Sequence, residues 1–424
     1  MNQSFAYDRA AFELPIEGAK WVRVLEAKAV PGIGALEAAF LRGVELDMIG
    51  TPALKALICA TDEVTIVVSD VTRLWMRQDR VCALLVKYLH DAIGVPFERI
   101  TVLIALGTHR AQTEEEMRKV ASDYAFERVR VVNHDCDAPD LVYVGTTRFG
   151  TRVRVNPLVI GRKTIVVAGT VHHLMSGYGG GRKSILPGIS ARDTIVQNHL
   201  HALDPIEPHS SALVGMGKRL GNPLSDDMIE AARLVAPVFS INLVVDAHTD
   251  PCAMLCGDIV AAWEKSCEIV REVAGLPIDQ PADVVVCSCG GYPKDLNLYQ
   301  GVKSLLNAAQ AVRPGGEILF IAACPEGGGA PEFFDWIIPL RQGRLDQALR
   351  ERFTIAGYIF YAACEIMKNA RVTMLSSLDP DTVRLMGMTP YASPEALISA
   401  FDFTGKSVYL MPHGGSVVPR LEAK

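Results

Sequence analysis

The chain has no run of basic residues, and its formal net charge is −6 over 424 residues. A general polyanion-binding surface needs concentrated Lys and Arg, so nucleic acid is not an expected partner. No apolar stretch reaches bilayer-crossing length, and no membrane is expected either. Residues 1–9 lack the basic-then-apolar order of a secretory leader. The ten cysteines contain no Cys-x-x-Cys pair, and several, such as Cys59, Cys287 and Cys324, lie inside apolar runs. Thiols so placed are expected to be buried and reduced, which points to the cytoplasm. A His-Glu-x-x-His zinc signature, low-complexity segments and internal repeats are also missing. What is present is 49% apolar and 21% charged residues, enough for a substantial core in two domains.

Short apolar runs alternate with helical patterns. Residues 64–69, 100–105, 129–132 and 164–168 read as strands, and 81–93, 114–121 and 257–274 as helices. Residues 275–281 read as a linker. A second series follows, with strands at 283–288, 317–322, 372–375 and 408–410 and a helix at 304–312. The rhythm predicts two α/β domains with mainly parallel sheets, residues 1–275 and 282–424. Ligands of open α/β sheets lie beyond the carboxyl ends of strands, so the segments just after strands carry the candidate chemistry.

Four such segments stand out. Asp70-Val71-Thr72-Arg73 offers a carboxylate for sugar hydroxyls and a hydroxyl and guanidinium for phosphate, or simply a helix cap with a surface ion pair. Gly107-Thr108-His109-Arg110 puts a histidine at the ligand edge, suited to acid–base work or to a structural hydrogen bond, ahead of a plausible helix cap at Thr113. Residues 171–190 give His172 and His173, a glycine-rich turn and Lys183. A lysine there serves as phosphate counter-ion or as nucleophile. The phosphate-loop pattern fails at its second glycine, where Arg182 stands. In the second series, Gln300 and Lys303 share a helical face suited to a small carboxylate. His199 and His201, two apart on a helical stretch, should point to different faces and not share a metal. His134-Asp135-Cys136-Asp137 resembles a ligand set in composition but reads as a polar turn.

Taken in order, these motifs resemble the nickel-dependent lactate racemase family. The resemblance rests on Asp-x-Thr-Arg at 70–73, Gly-Thr-His-Arg at 107–110, His173 ten residues before Lys183, His199 sixteen after it, and Tyr299-Gln300-x-x-Lys303. It implies that Lys183 carries a pyridinium-3-thioamide-5-thiocarboxylic acid mononucleotide, the nickel pincer nucleotide, as a covalent thioamide. His199 would be the protein ligand to nickel. Asp70, Val71, Thr72 and Arg73 would cradle the nucleotide, His109 and His173 would be the acid–base pair, and Gln300 and Lys303 would hold the substrate carboxylate. The first domain would then bind cofactor, the second would clamp substrate, and the active site would occupy the cleft between them. Cofactor-synthesis proteins would be partners for loading.

The implied chemistry is coherent. The C2 hydrogen of a 2-hydroxy acid is hardly acidic, so its removal as hydride, with a base taking the hydroxyl proton, is the easier route. Return of hydride to the other face of the planar keto acid gives the opposite enantiomer, and each enantiomer needs its own base. Leu74-Trp75-Met76-Arg77 and the aromatic run Gly357-Tyr358-Ile359-Phe360-Tyr361 depart from the family pattern and leave the substrate's side chain open. A dicarboxylate such as malate would need a further cation, with Arg77, Arg110 and Arg182 as candidates. Two other readings remain at this stage: a phosphotransferase or NTPase on a degenerate glycine loop, and a non-catalytic cofactor or metal carrier.

Overall fold

Val64–Ser69, Ile100–Ala105 and Lys163–Gly169 are almost entirely buried, as strands covered by helices on both faces must be. The computed structural model describes residues 1–27 and 30–422. In the first α/β unit these strands join Arg130–Asn133 and Phe239–Val245 in a parallel array, with Pro251–Gly257 antiparallel at one edge. Val64–Ser69 is central, with Ile100–Ala105 on one side and Lys163–Gly169 on the other. The chain runs outward to Arg130–Asn133 on one side, then returns to begin the other at Lys163–Gly169. Connections therefore diverge beyond Ser69 and Gly169, which opens a crevice at that edge. Asp70–Arg73 and the Lys183 turn follow those two strands.

The helix Gln78–Tyr88 buries Val81, Cys82, Leu85 and Val86, a three-to-four-residue spacing that lays one apolar stripe on the sheet. The helix Glu114–Ala121 starts at the predicted Thr113, whose hydroxyl accepts from Glu116 N–H while the Glu116 carboxylate accepts from Thr113 N–H.

The second unit holds a six-stranded all-parallel sheet in the order Thr389–Tyr391, Arg371–Leu375, Val312–Ile321, Ala282–Ser288, Ser407–Met411 and Trp21–Val24. Its edge strand thus comes from the N-terminus. So does a hairpin, Asn2–Tyr7 with Ala10–Pro15, whose Phe5 and Leu14, with the following Ile16, pack on Val284, Val286, Leu319 and Ile321. Leu203–Ser211 belongs here too; Ser210 donates its N–H and hydroxyl to Glu365 at 2.8 and 2.5 Å. The expected division at 275–282 is therefore one of several crossings between units. The sequence could not show this, because Trp21–Val24 is an edge strand without a buried apolar run. The supposed linker is also structured: Gly275–Ile278 pairs in parallel with Val418–Leu421, and Leu276 and Ile278 are buried.

Candidate active site

Ser69 and Ala105 are paired neighbours on adjacent parallel strands, so the loops leaving them start side by side. Asp70, one residue on, caps the short helical turn Val71–Met76. Its Oδ1 accepts from Thr72 N at 3.1 Å and Thr72 Oγ1 at 2.5 Å, and its Oδ2 accepts from His109 Nδ1 in the shortest contact of the site. Burial raises the Asp70 pKa, but hydrogen bonds from His109 and Thr72 and the charges of His109 and Arg73 outweigh it and leave the carboxyl below its usual range. Val71 N–H donates to Gln112, and the Arg73 guanidinium, at the surface, donates to the Thr72 carbonyl and hydroxyl. His109 Nδ1–H donates to Asp70, which leaves the Nε2 lone pair pointing away from the pair.

The Gly107 N–H donates to the Gly188 carbonyl at 2.9 Å, which ties the His109 loop to the Lys183 turn. Lys183 Nζ lies 2.7 Å from His173 Nε2. His173 Nδ1 accepts from the N–H groups of Met175 and Ser176, both at 3.2 Å, while its Nε2 faces Lys183 Nζ.

Arg182 fixes the turn from beneath. It is fully buried, its guanidinium stacks 3.6 Å over Trp263, and it donates to the carbonyls of Ser176 and Tyr178 and to Ser225 Oγ at 2.8–3.0 Å. Burial lowers its pKa to about 9, which still leaves it a cation at neutral pH. This removes Arg182 from the candidates for a second substrate carboxylate. Arg110 is also engaged, in a two-bond pair with Glu116 at 2.6 and 2.7 Å. The glycines answer to packing as well: Gly177 (φ 74°) and Gly180 (φ 76°) have left-handed backbones, and a Cβ there would strike the Lys218 carbonyl and Thr170 Oγ1. The N–H groups of Tyr178, Gly179, Lys183, Ile185 and Leu186 donate to carbonyls of this region.

His199 sits on the helix Arg192–Leu200, nearly fully buried. Its Nδ1 donates to the Ile195 carbonyl at 2.9 Å, which fixes the ring's tautomer. Burial, aided by the Lys183 charge, lowers its pKa to about 3, so the ring is neutral across the physiological range. The helix is anchored next door: Asn198 donates to the Leu224 carbonyl and to buried Asp227, which also accepts from Thr147 and Thr151. His201 lies 3.9 Å from Asp227 instead, in keeping with the expectation that the two histidines diverge.

Gln300 and Lys303 are in the second unit, on the helix Leu298–Ala308, which Asn297 starts by accepting from Gln300 N–H. That cap puts the helix six residues ahead of its expected start at 304. Lys303 Nζ donates to Gln300 Oε1 at 2.5 Å, so the amide and ammonium do share a face.

The polar-turn reading of His134–Asp137 stands. Asp137 is taken by Arg192 through two 2.7 Å bonds, and the Asp135 carboxylate accepts from Asp137 N–H. His134 is buried, with Nε2 3.0 Å from the Ser190 carbonyl and Nδ1 3.3 Å from Asn156 Nδ2.

The family model described as the lactate racemase N-terminal domain matches residues 7–210, and the model of the lactate racemase C-terminal domain matches residues 278–419. The chain belongs to the lactate racemase family. It is 29% identical over 433 aligned residues to a lactate racemase of Thermoanaerobacterium thermosaccharolyticum, covering 98% of both chains. It is 29% identical to a lactate racemase of Lactiplantibacillus plantarum, covering 87% of this chain and 88% of that one. The solved lactate racemase apoprotein from T. thermosaccharolyticum superposes with a TM-score of 0.84 over 99% of this chain and 100% of its own. A Thermotoga maritima protein, 20% identical with a TM-score of 0.68 over 93% of this chain and 100% of its own, shares the α/β fold. Among the described residues no helix is long and apolar enough to cross a membrane, and the ten cysteines are free thiols.

Two features of the site escaped the sequence reading. Arg182 was weighed as a substrate cation, and nothing in its neighbours flagged the distant Trp263 beneath it. The Asp70–His109 pair was missed although its signal existed: both residues closely follow strands that are adjacent and in register.

Proposed function

We propose that the protein racemises or epimerises a 2-hydroxy acid, lactate or a close relative, using a nickel pincer nucleotide on Lys183. The observation that carries this reading is the 2.7 Å contact of Lys183 Nζ with His173 Nε2, in a unit that also presents His109 and a neutral, buried His199. The residues suit the group. His199 offers Nε2 as an uncharged donor, and Lys183 offers an amine on a turn that Arg182 holds rigid.

When bound, the group supplies a centre able to accept and return hydride. The chain's own residues handle protons and orientation. His109, its Nδ1 proton held by Asp70, takes the substrate hydroxyl proton at Nε2. His173, beside Lys183, would be the second acid–base group and, once protonated, would return a proton to the oxygen as the opposite enantiomer forms. Gln300 and Lys303 bind the carboxylate and retain the keto acid between hydride transfers. The same reading makes the protein cytoplasmic and has cofactor-synthesis proteins load it.

The test is intact-mass and metal analysis of protein produced with the cofactor-synthesis machinery, followed by a chiral assay on a panel of 2-hydroxy acids. One adduct on Lys183, one nickel and interconversion of lactate enantiomers are expected. An unmodified Lys183 under those conditions, or a fully loaded protein inert towards the whole panel, overturns the reading.

A further inference from the structure

Asp70 has no oxygen left uncommitted. Oδ1 is taken by Thr72 N–H and Thr72 Oγ1, Oδ2 by His109 Nδ1, and the residue is 3% exposed. His173 is held otherwise, by two backbone N–H groups, so of the two histidines only His109 has a carboxylate at its Nδ1 in this geometry.

We propose that Asp70 is the positioning residue of His109: it fixes the ring as the Nδ1–H tautomer with Nε2 available as base. What His109 does in catalysis rests on the racemase reading above; how it is held does not. The charged groups acting on Asp70 are His109, Arg73 and, more weakly, Arg110, the last already engaged with Glu116. Of the four-residue motif, Arg73 at the surface then remains as the side chain with donors for a nucleotide phosphate.

The apoprotein tests how His109 is held. In 15N-imidazole-labelled apoprotein, neutral His109 is expected as the Nδ1–H tautomer. Asp70→Asn keeps a side-chain oxygen to cap Val71–Met76 and is therefore expected to fold. Its amide N–H facing Nδ1 should convert the ring to the Nε2–H tautomer. The reciprocal variant, His109→Asn, leaves the cap untouched and should raise the Asp70 carboxyl titration midpoint. Produced with the loading machinery, Asp70→Asn should keep its Lys183 adduct within about twofold of wild type. Its kcat should fall roughly 100-fold or more, with KM little changed. A tautomer unchanged in Asp70→Asn, an Asp70 midpoint unmoved in His109→Asn, or loss of the adduct in Asp70→Asn overturns the proposal. Failure of the racemase reading looks different: the apoprotein tautomer switches as expected while loaded wild-type protein racemises nothing.

Discussion

The Nδ1 atoms of His109 and His173 meet opposite partners, a carboxylate in one case and amide N–H groups in the other. Replacing either by alanine should lower racemisation about 100-fold or more, the usual contribution of a positioned acid or base. Each variant should still give the Lys183 adduct by intact mass; full activity in both would remove the two-base scheme. His134 makes a different kind of prediction, one of stability. Burial depresses its pKa below 6.5 in the folded state, so the unfolded chain takes up a proton first as pH falls. The stabilising contribution is present above about pH 6.5 and is lost as pH drops through the lower folded midpoint. Apoprotein denaturation measured at several pH values should show that decline, and His134→Gln should flatten it; an unchanged slope would remove His134 as a source. At this scale the sequence revealed identities and spacings but not proton positions. Those depend on carbonyls and amides such as Ile195, Met175 and Ser176, which any residue type supplies.

At the level of elements, the glycine-rich turn shows why motif reading stops short. Its glycines read as room for a ligand, yet Gly177 and Gly180 are needed for left-handed backbone and close approach to Lys218 and Thr170. Its arginine read as an available cation, yet Arg182 is the turn's internal clamp. Arg182→Met should cost the apoprotein about 3 kcal/mol or more, because buried carbonyls lose a charged donor. Arg182→Lys should recover little of this, since one ammonium cannot span Ser176, Tyr178 and Ser225 as a guanidinium does. Urea denaturation checks both variants, and near-wild-type stability in Arg182→Met would show that the clamp is dispensable. The strands of continuous apolar runs, such as Val64–Ser69 and Ala282–Ser288, were legible to within a residue. Phe239–Val245 was not, because Ser240 and Asn242 interrupt its run, although both are buried.

For the whole molecule, the two α/β units were legible but the path of the chain between them was not. Strand periodicity says that a segment pairs, not with which sheet. Residues 1–24 are the clearest case: Trp21–Val24 completes, and the hairpin packs on, the sheet whose next strand in the chain is Ala282–Ser288. The size of that contribution can be estimated. Phe5, Leu14 and Ile16 are buried against Val284, Val286, Leu319 and Ile321. Burying three such side chains contributes about 5–9 kcal/mol, comparable with the whole net stability of a typical domain. A fragment cut at the sequence-derived boundary, residues 282–424, should therefore lack a cooperative transition and expose apolar surface. A permuted fragment that continues from residue 274 through the C-terminus, via a flexible linker, into residues 1–27 regains the hairpin and the edge strand. It should melt cooperatively by circular dichroism even without Leu203–Ser211, which is tied to this unit by Ser210–Glu365 and by Arg350 donating to the Glu207 carbonyl. If the short fragment instead melts as sharply as the permuted one, the N-terminal segment decorates the second unit without holding it together.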